Sequence, residues 1–502
     1  MADELIALSN ANLGALPKAV PGPTYDRSKL SAGIVHIGVG NFHRAHQAWY
    51  LHRLMQRGLC HDWAIVGAGV RPNDAAQRER LLAQDCLTAL IKLDPAGKSA
   101  EVTGSMIDYV PVEPDNSTLI KRMAQQDIRI VSLTVTEGGY YTDPGTGEFE
   151  ASHDDIMHDA ANPDIPRTAF GAMIEALRLR RANGAGPFTG LCCDNLQGNG
   201  AILRRTLLSL ANMSDPGLAE WIDANCTFPN SMVDCIVPAT GPKELALVAE
   251  FGVADAAPVT HENFRQWVVE DNFCAGRPDW DQVGATFSDQ VHDFEAMKLQ
   301  VLNGGHQLIA IPGDLLGIET ISGCMASPLI RDFLLSTMRA EVLPTVKPVP
   351  GTTPRHYLEL IDSRFANAEI FDTSRRVAFD GSSRQPGFIV PSIRDALAHD
   401  LPVEGLALMS ALWMRYCLGV REDGSSIEPN DPNAQHLLQI AQQALDTPLV
   451  WLQQRQYYGD LANNHRFSTS FAGWADVLKS DGVAAALKAC GSQARTGEAI
   501  SA

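Results

Sequence analysis

The chain has 502 residues, 45% apolar, 20% charged and 7% aromatic, with a formal charge of −19. That length admits two large domains or roughly three ordinary ones, and the composition excludes disordered, collagen-like and disulfide-scaffold proteins. The acidic balance has the wrong sign for a nucleic-acid footprint or an anionic membrane surface, so small molecules are the expected partners.

The N-terminal residues, MADELIALSN, lack a basic region and carry Asp3 and Glu4, so no signal peptide is expected. The most apolar stretch, residues 406–414, stops at Arg415, short of a membrane span. Ten cysteines form no CxxC pair and no regular spacing. They read as free thiols in a reducing, cytoplasmic compartment.

In chain order, residues 34–37 (IVHI) are a predicted strand, followed by Gly38 and an amphipathic stretch through Leu54. Residues 63–70 and 128–135 are two further strand runs. Phe170, Met173, Ile174 and Leu177 share one helical face, and Gly184 follows as the stop. Residues 188–193 then read as a strand. This alternation predicts βαβ units and a parallel sheet covered by helices. After about residue 288 strand runs become scarce. Ser327-Pro328 opens a helical stretch, and further helices are predicted over 354–366, 404–418 and 433–446. The expected architecture is an α/β Rossmann-type N-terminal domain, residues 1–287, and a mainly α-helical C-terminal domain, residues 288–502.

Gly38-Val39-Gly40-Asn41-Phe42-His43 lies where a predicted strand meets a predicted helix. Two glycines let backbone approach a pyrophosphate, whose charge the helix N-terminal amides favour. His43 replaces the third glycine of the usual dinucleotide fingerprint, and a tight strand–helix turn would use the same letters. Asp74 is the first acid after the second strand and would take an adenosine ribose, favouring NAD. Arg71 and Arg78 beside it pull towards NADP, although Arg78 also suits a solvated helix charge.

Residues 294–306 (FEAMKLQVLNGGH) carry the richest set of chemical groups. As an α-helix they place Asn303 and His306 one turn apart, with Glu295 one turn before Lys298. An amine that takes a hydroxyl proton, with amide and imidazole holding the alkoxide, would oxidise an alcohol. Bringing a lysine from about 10.4 towards neutrality costs roughly 4 kcal/mol, so a dry pocket is required. On spacing alone the same letters suit a surface lysine, a packed Gly-Gly contact and a satisfied histidine. His43-x-x-His46 has helical ligand spacing but no acidic partner, so no metal is expected.

Taken together, residues 37–47 (IGVGNFHRAHQ), 134–139 (TVTEGG), Cys193-Asp194-Asn195, Met232-Val233-Asp234 and Lys298…Asn303…His306 resemble the polyol-specific long-chain dehydrogenase/reductase family. The resemblance runs from about Thr24 to the last helices, with the motifs in order. It implies a metal-independent, NAD(P)-dependent enzyme, with NAD the expected cofactor and NADP still open, often monomeric in this family, that oxidises a secondary alcohol of an acyclic sugar alcohol. D-Mannitol, D-arabinitol and D-sorbitol are the implied substrates, and the 2-ketose the product. Carried over by position, Lys298 would be the general base, and Asn195 and Asn303 the oxyanion-stabilising pair. His306 would bind substrate and Glu295 would gate the proton's passage to solvent. Asp234, Arg376 and Arg384 would contact substrate hydroxyls. Gly38, Gly40, Asn41, Phe42, His43, Arg44, Asp74 and Glu137 would line the cofactor.

Each of these residues also has a plainer reading. Asp234 and Asn195 could close turns, and Glu137 could serve the Gly138-Gly139 turn. Arg376 and Arg384 flank Asp380-Gly381-Ser382 and could be surface charges. The chain also departs from the family pattern: His261-Glu262-Asn263 replaces Cys-Glu-Pro, Arg384 stands where some relatives have lysine, and Asn73 where some have an acid. Two alternatives stay open. One is a fructuronate reductase-type hexuronate enzyme, suggested by residues 264–280. The other is a non-catalytic NAD-binding regulator on the same fold.

Overall fold

A computed structural model describes residues 5–142 and 148–501, with the backbone alone for Glu137 and for 492–501. The chain falls into two compact units, Met1–His292 and Asp293–Ala502.

In the first unit, five parallel strands form one sheet. They are β1 (Ala32–Ile37), β2 (Ala64–Ala68), β3 (Met106–Tyr109), β4 (Ile130–Leu133) and β5 (Thr189–Cys192), in the order β3-β2-β1-β4-β5. Every residue of β1, β2, β4 and β5 is buried. A parallel sheet is covered on both faces, which is why these strands read as near-continuous apolar runs. Val35, Ile37, Val131 and Leu133 pack on Phe170, Met173 and Leu177 of the helix Ala169–Asn183. Ile34, Ile65 and Ile130 pack on the other side with Leu51, Leu54 and Trp267.

That long helix begins where Thr168 Oγ1 accepts from the Gly171 amide at 2.9 Å. It ends at Gly184, whose left-handed φ of 71° closes the last turn as the sequence predicts. β3 (MIDY) escapes a pattern-based reading because it is short and half polar. So do the strands Thr88–Leu93 and Ser99–Thr103, which pair antiparallel beside Val259–Glu262. A third sheet joins Ser231–Asp234 to Gln266–Val269 and Thr286–Phe287.

Among its described residues the second unit is helical and contains no strand. Its central helix, Glu404–Tyr416, is buried from Gly405 through Met414 and packs against His465–Ser480 and Gly304–Leu315. A helix this apolar on all sides belongs in a core. Its first turn would leave amides without partners. The Glu341 carboxylate accepts two of them, from Gly405 at 2.7 Å and Leu406 at 2.9 Å. Among the described residues no helix is long and apolar enough to cross a membrane.

Burial holds five histidines as neutral imidazoles. It pushes His36, His52, His261 and His306 down to about 3, and His43 well below its ordinary value. Unfolding frees each to take a proton, so the stability they contribute is full above about pH 6.5. It is lost as pH falls from there towards their folded values. Glu341, which burial pushes up to about 7, acts in the opposite sense. Unfolding at pH 5 should therefore show a net uptake of protons. Urea midpoints measured from pH 8 to pH 4.5 should fall steadily below pH 6.5, and a flat profile down to pH 5 would contradict this.

Candidate active site

The sheet order reverses between β1 and β4, and a doubly wound sheet opens its ligand crevice at the carboxyl ends of the strands there. Gly38 follows β1 with φ of 92°, and a Cβ placed on it would fall 2.2 Å from the Thr134 carbonyl oxygen after β4. Only glycine fits. Thr134 Oγ1 donates to the Gly38 carbonyl at 2.6 Å and pairs with His36 Nε2 at 2.9 Å. Gly40 differs, because a Cβ there meets nothing in the protein closer than the Gly38 oxygen at 4.0 Å. The open space at Gly40 is what a close-lying phosphate needs.

The helix Asn41–Ala45 starts at Gly40 and carries the next four expected cofactor residues. Asn41 Nδ2 donates to Pro238 O and Thr240 Oγ1, both at 2.9 Å. The Arg44 guanidinium is buried, donates to Asn41 Oδ1 at 2.7 Å and also bonds the Ala257 carbonyl. Burial lowers it to about 10, so it stays cationic. Asn41, Arg44, Gln77, Arg80 and the loop 237–240 line a cavity of about 520 Å³, within the usual range for ligand pockets. Phe42 stacks on His46 with ring centroids 4.7 Å apart.

His43 is turned elsewhere. Its ring lies face to face on His36 of β1, with centroids 3.4 Å apart, and is 1% exposed. The position reserved for a glycine at the helix–strand contact is thus filled by a flat stack of two neutral imidazoles. The His43 side chain, expected from the sequence to line the cofactor, is thus packed against β1.

Asp74 opens the helix Asp74–Leu82 beyond the end of β2, and its carboxylate accepts from the Arg71 amide at 3.0 Å. Arg78 is not a solvated charge, since its Nε donates to the Tyr109 carbonyl of β3 at 3.0 Å. Glu137 begins a short 3₁₀ turn, Glu137–Tyr140; its side chain lies outside the described residues. Asp194 is a residue that motif reading passed over. It is buried and accepts from the Val135 amide at 3.0 Å, the Thr136 amide at 3.0 Å and Tyr140 Oη at 2.6 Å. Asn195, the next residue, is exposed. Asp234 is buried at the end of its strand, in register with Gln266.

In the second unit the expected α-helix is interrupted. Val291–Met297 is α-helical, Lys298–Asn303 is a π-helical turn, and α geometry resumes over Gly304–Leu315. Such insertions are rare and often mark functional sites. In an α-helix residues five apart diverge by about 140°. The π turn's i→i+5 bonding draws Lys298 and Asn303 towards one face instead. Lys298 is 7% exposed and Glu295 4%, so both stand in dry surroundings. Asn303 Nδ2 is buried and has no hydrogen-bond partner within the protein. A buried amide donor left open is costly unless a ligand uses it.

His306 stacks on Phe365 with centroids 4.1 Å apart. Its low value comes first from burial, and Arg364, Arg376 and Arg384 lower it further against the pull of Asp372. Arg376 makes a two-pronged bond to Asp372, one prong at 2.6 Å from Nε to Oδ1. Arg384 Nη1 donates to the Val377 carbonyl at 2.6 Å. The structure sets Arg376 and Arg384 close enough to His306 to act on its charge. It adds Arg364 and Asp372, which no motif flagged. Among the described residues no group of three or more His, Cys, Asp or Glu side chains could hold a metal ion.

Residues 32–282 match the mannitol dehydrogenase Rossmann domain family, and residues 290–478 the mannitol dehydrogenase C-terminal domain family. The chain is 53% identical over 473 residues to a mannitol 2-dehydrogenase of Cereibacter sphaeroides, covering 94% of this chain and 99% of that one. It is 39% identical to the mannitol 2-dehydrogenase of Pyricularia oryzae, covering 97% and 99%. Among solved structures it is similar to the Pseudomonas fluorescens mannitol 2-dehydrogenase ternary complex with NAD and D-mannitol. That match has a TM-score of 0.87 and 39% identity, covering 96% of this chain and 99% of that chain. A D-sorbitol dehydrogenase in substrate-free form matches with a TM-score of 0.89 and 33% identity, covering 96% and 100%.

The two glycines separate fold from ligand. Gly38→Ala should destabilise the protein by roughly 2–5 kcal/mol, from the positive φ and the clash with Thr134. Gly40→Ala should cost about 1 kcal/mol or less at this helix N-cap, yet weaken dinucleotide binding tenfold or more. Urea unfolding and fluorescence titration with NADH would measure both, and unchanged NADH affinity in Gly40→Ala would remove that glycine from the cofactor site.

Proposed function

This chain belongs to the mannitol dehydrogenase family, and on that premise we propose that it is an NAD-dependent polyol dehydrogenase acting on acyclic sugar alcohols. The reaction is oxidation of a secondary alcohol, D-mannitol to D-fructose being the leading case, with D-arabinitol and D-sorbitol as further substrates. The observation that carries this reading is the π turn, with Lys298 buried at its start and the open amide donor of Asn303 at its end.

Each residue has its own share of the work. Lys298 Nζ accepts the hydroxyl proton, and Glu295, one turn earlier, passes it on to solvent. Asn303 Nδ2 donates to the oxygen as it becomes an alkoxide, and Asn195 is the second donor. Donors fixed before the reaction stabilise such charge better than water, which must reorient. His306, neutral at any working pH, holds a substrate hydroxyl without adding charge beside the amine. Asp234, Arg376 and Arg384 hold the remaining hydroxyls. NAD, when bound, supplies the acceptor for the hydride.

The cofactor fits the residues present. Gly40 leaves space for a phosphate, Arg44 offers a buried cation beside it, and Asp74 stands where an adenosine ribose would be read. A carboxylate at that place favours NAD over NADP, whose 2′-phosphate it would repel. With Lys298 taking the proton and amides holding the oxygen, the scheme requires no metal.

One observation favours a second reading. Three guanidiniums against one carboxylate around His306 would also suit the carboxylate of a hexuronate or aldonate. A non-catalytic NAD-binding role finds no such support, since it has no use for a buried proton acceptor.

NADH formation in the alkaline range, with D-mannitol, D-arabinitol, D-sorbitol and D-mannonate in parallel, separates these readings. Oxidation of polyols but not mannonate is expected; mannonate alone would move the protein to the hexuronate branch. Lys298→Ala should lower kcat by roughly 10²–10⁴-fold while NADH affinity stays within twofold. An unchanged turnover number would remove the mechanism.

A further inference from the structure

Thr136 has φ of 71° and ψ of 159°. That region of backbone space is essentially reserved for glycine, and Thr136 is β-branched, which makes it a genuine outlier. The strain sits just after β4, which β1 separates from the strand β2 that leads to Asp74, and Arg71 Nη2 reaches the Val135 carbonyl at 3.4 Å. A dinucleotide laid across the switch point places its adenosine over β2 and its other half over β4 and β5. The segment 134–139 therefore flanks the nicotinamide end.

What holds the strain is visible. The two oxygens of Asp194, which lies just after β5, accept the consecutive amides of Val135 and Thr136, each at 3.0 Å. Asp194 Oδ2 also accepts from Tyr140 Oη at 2.6 Å, at the far end of the same turn. The carboxylate is itself fixed, because its residue is buried and its backbone carbonyl accepts from Asn199 Nδ2 at 3.1 Å. Charge-assisted hydrogen bonds to adjacent amides are strong enough to select one peptide orientation over its relaxed alternative. They turn both amides of 135 and 136 towards β5, and the Glu137–Tyr140 turn starts from that setting.

We propose that Asp194 is a positioning residue for cofactor binding: it locks Thr136 in a glycine-like conformation and so shapes the turn 135–139 that receives the nicotinamide end. This rests on the NAD-dependent function proposed above. It also separates the roles of two neighbours, with Asn195 acting on substrate and Asp194 on the turn.

The test uses the full-length protein, with NADH and ADP-ribose as probes, the latter lacking only the nicotinamide end. Asp194→Asn keeps the volume but can accept only one of the two amides. It should weaken NADH binding about tenfold, equivalent to 1.4 kcal/mol, and leave ADP-ribose affinity within twofold. Thr136→Gly adopts the conformation without strain, so the double variant should recover most of the lost NADH affinity. Equal loss for both probes, or no recovery in the double variant, would overturn the proposal. Should Asp194→Asn fail to fold, Thr136→Gly alone decides. It should melt no lower than the native chain if Thr136 is held strained, whereas a clear drop in Tm would refute the lock. A native chain that binds neither probe would instead sink the dinucleotide function, leaving the Tm comparison to judge the lock.

Discussion

Gly38 and Thr134 lie at the carboxyl ends of neighbouring strands, closer than any side chain on residue 38 would allow. That approach sets the shape of the crevice in the first unit. It ties the turn after β1 to the segment after β4 through Thr134 Oγ1, and His36 reinforces the tie from inside the sheet. Asp194 extends the stitching to β5 through the amides of 135 and 136. Three strand ends are thereby joined by side chains, where a parallel sheet leaves its last amides and carbonyls open. A cofactor site built on this frame is rigid at the glycine turn and strained beside it.

The His36–His43 stack shows how a familiar fingerprint can be altered without losing the fold. The third glycine normally lets helix and strand come close. Two flat rings 3.4 Å apart achieve a tight contact by stacking. The cost is two imidazoles that burial keeps neutral, one bonded to Ser132 Oγ at 2.8 Å and to Thr134. Two of the buried neutral histidines of this unit therefore also set the packing of the glycine turn.

In the second unit the equivalent device is the π turn Lys298–Asn303, one of three π-helical stretches among its described residues. Inserting one residue's worth of extra backbone into a buried helix forfeits regular hydrogen bonding, and the gain is a change of face for the residues beyond it. Lys298 and Asn303, which α geometry would set well apart, come towards one side. Around His306 the charges are similarly arranged by tertiary contact: burial above all keeps the imidazole neutral, Asp372 engages Arg376 in two bonds, and Arg364, Arg376 and Arg384 add to the effect of burial.

The parallel sheet was legible in the sequence because each of its long strands is an uninterrupted apolar run, and its helices carry periodic apolar faces with cap residues such as Thr168 and Gly184. The short, half-polar β3 and the short strands of the smaller sheets gave no such signal. The order of motifs was legible too, since glycines, Lys298, Asn303 and His306 stand at fixed spacings along one chain. Spacing cannot express which side chains meet across the fold. Asp194 carried no role in its own sequence context, and became the anchor of a strained loop only because β5 lies beside β4. His43 looked like a cofactor residue, and packs on His36 because helix and strand leave room for a ring. Local sequence determined the elements and the residue types, through periodicity and caps that act over a few positions. Tertiary structure decided the π turn, the buried stack and the charge surround, because their energies come from contacts between residues tens of positions apart.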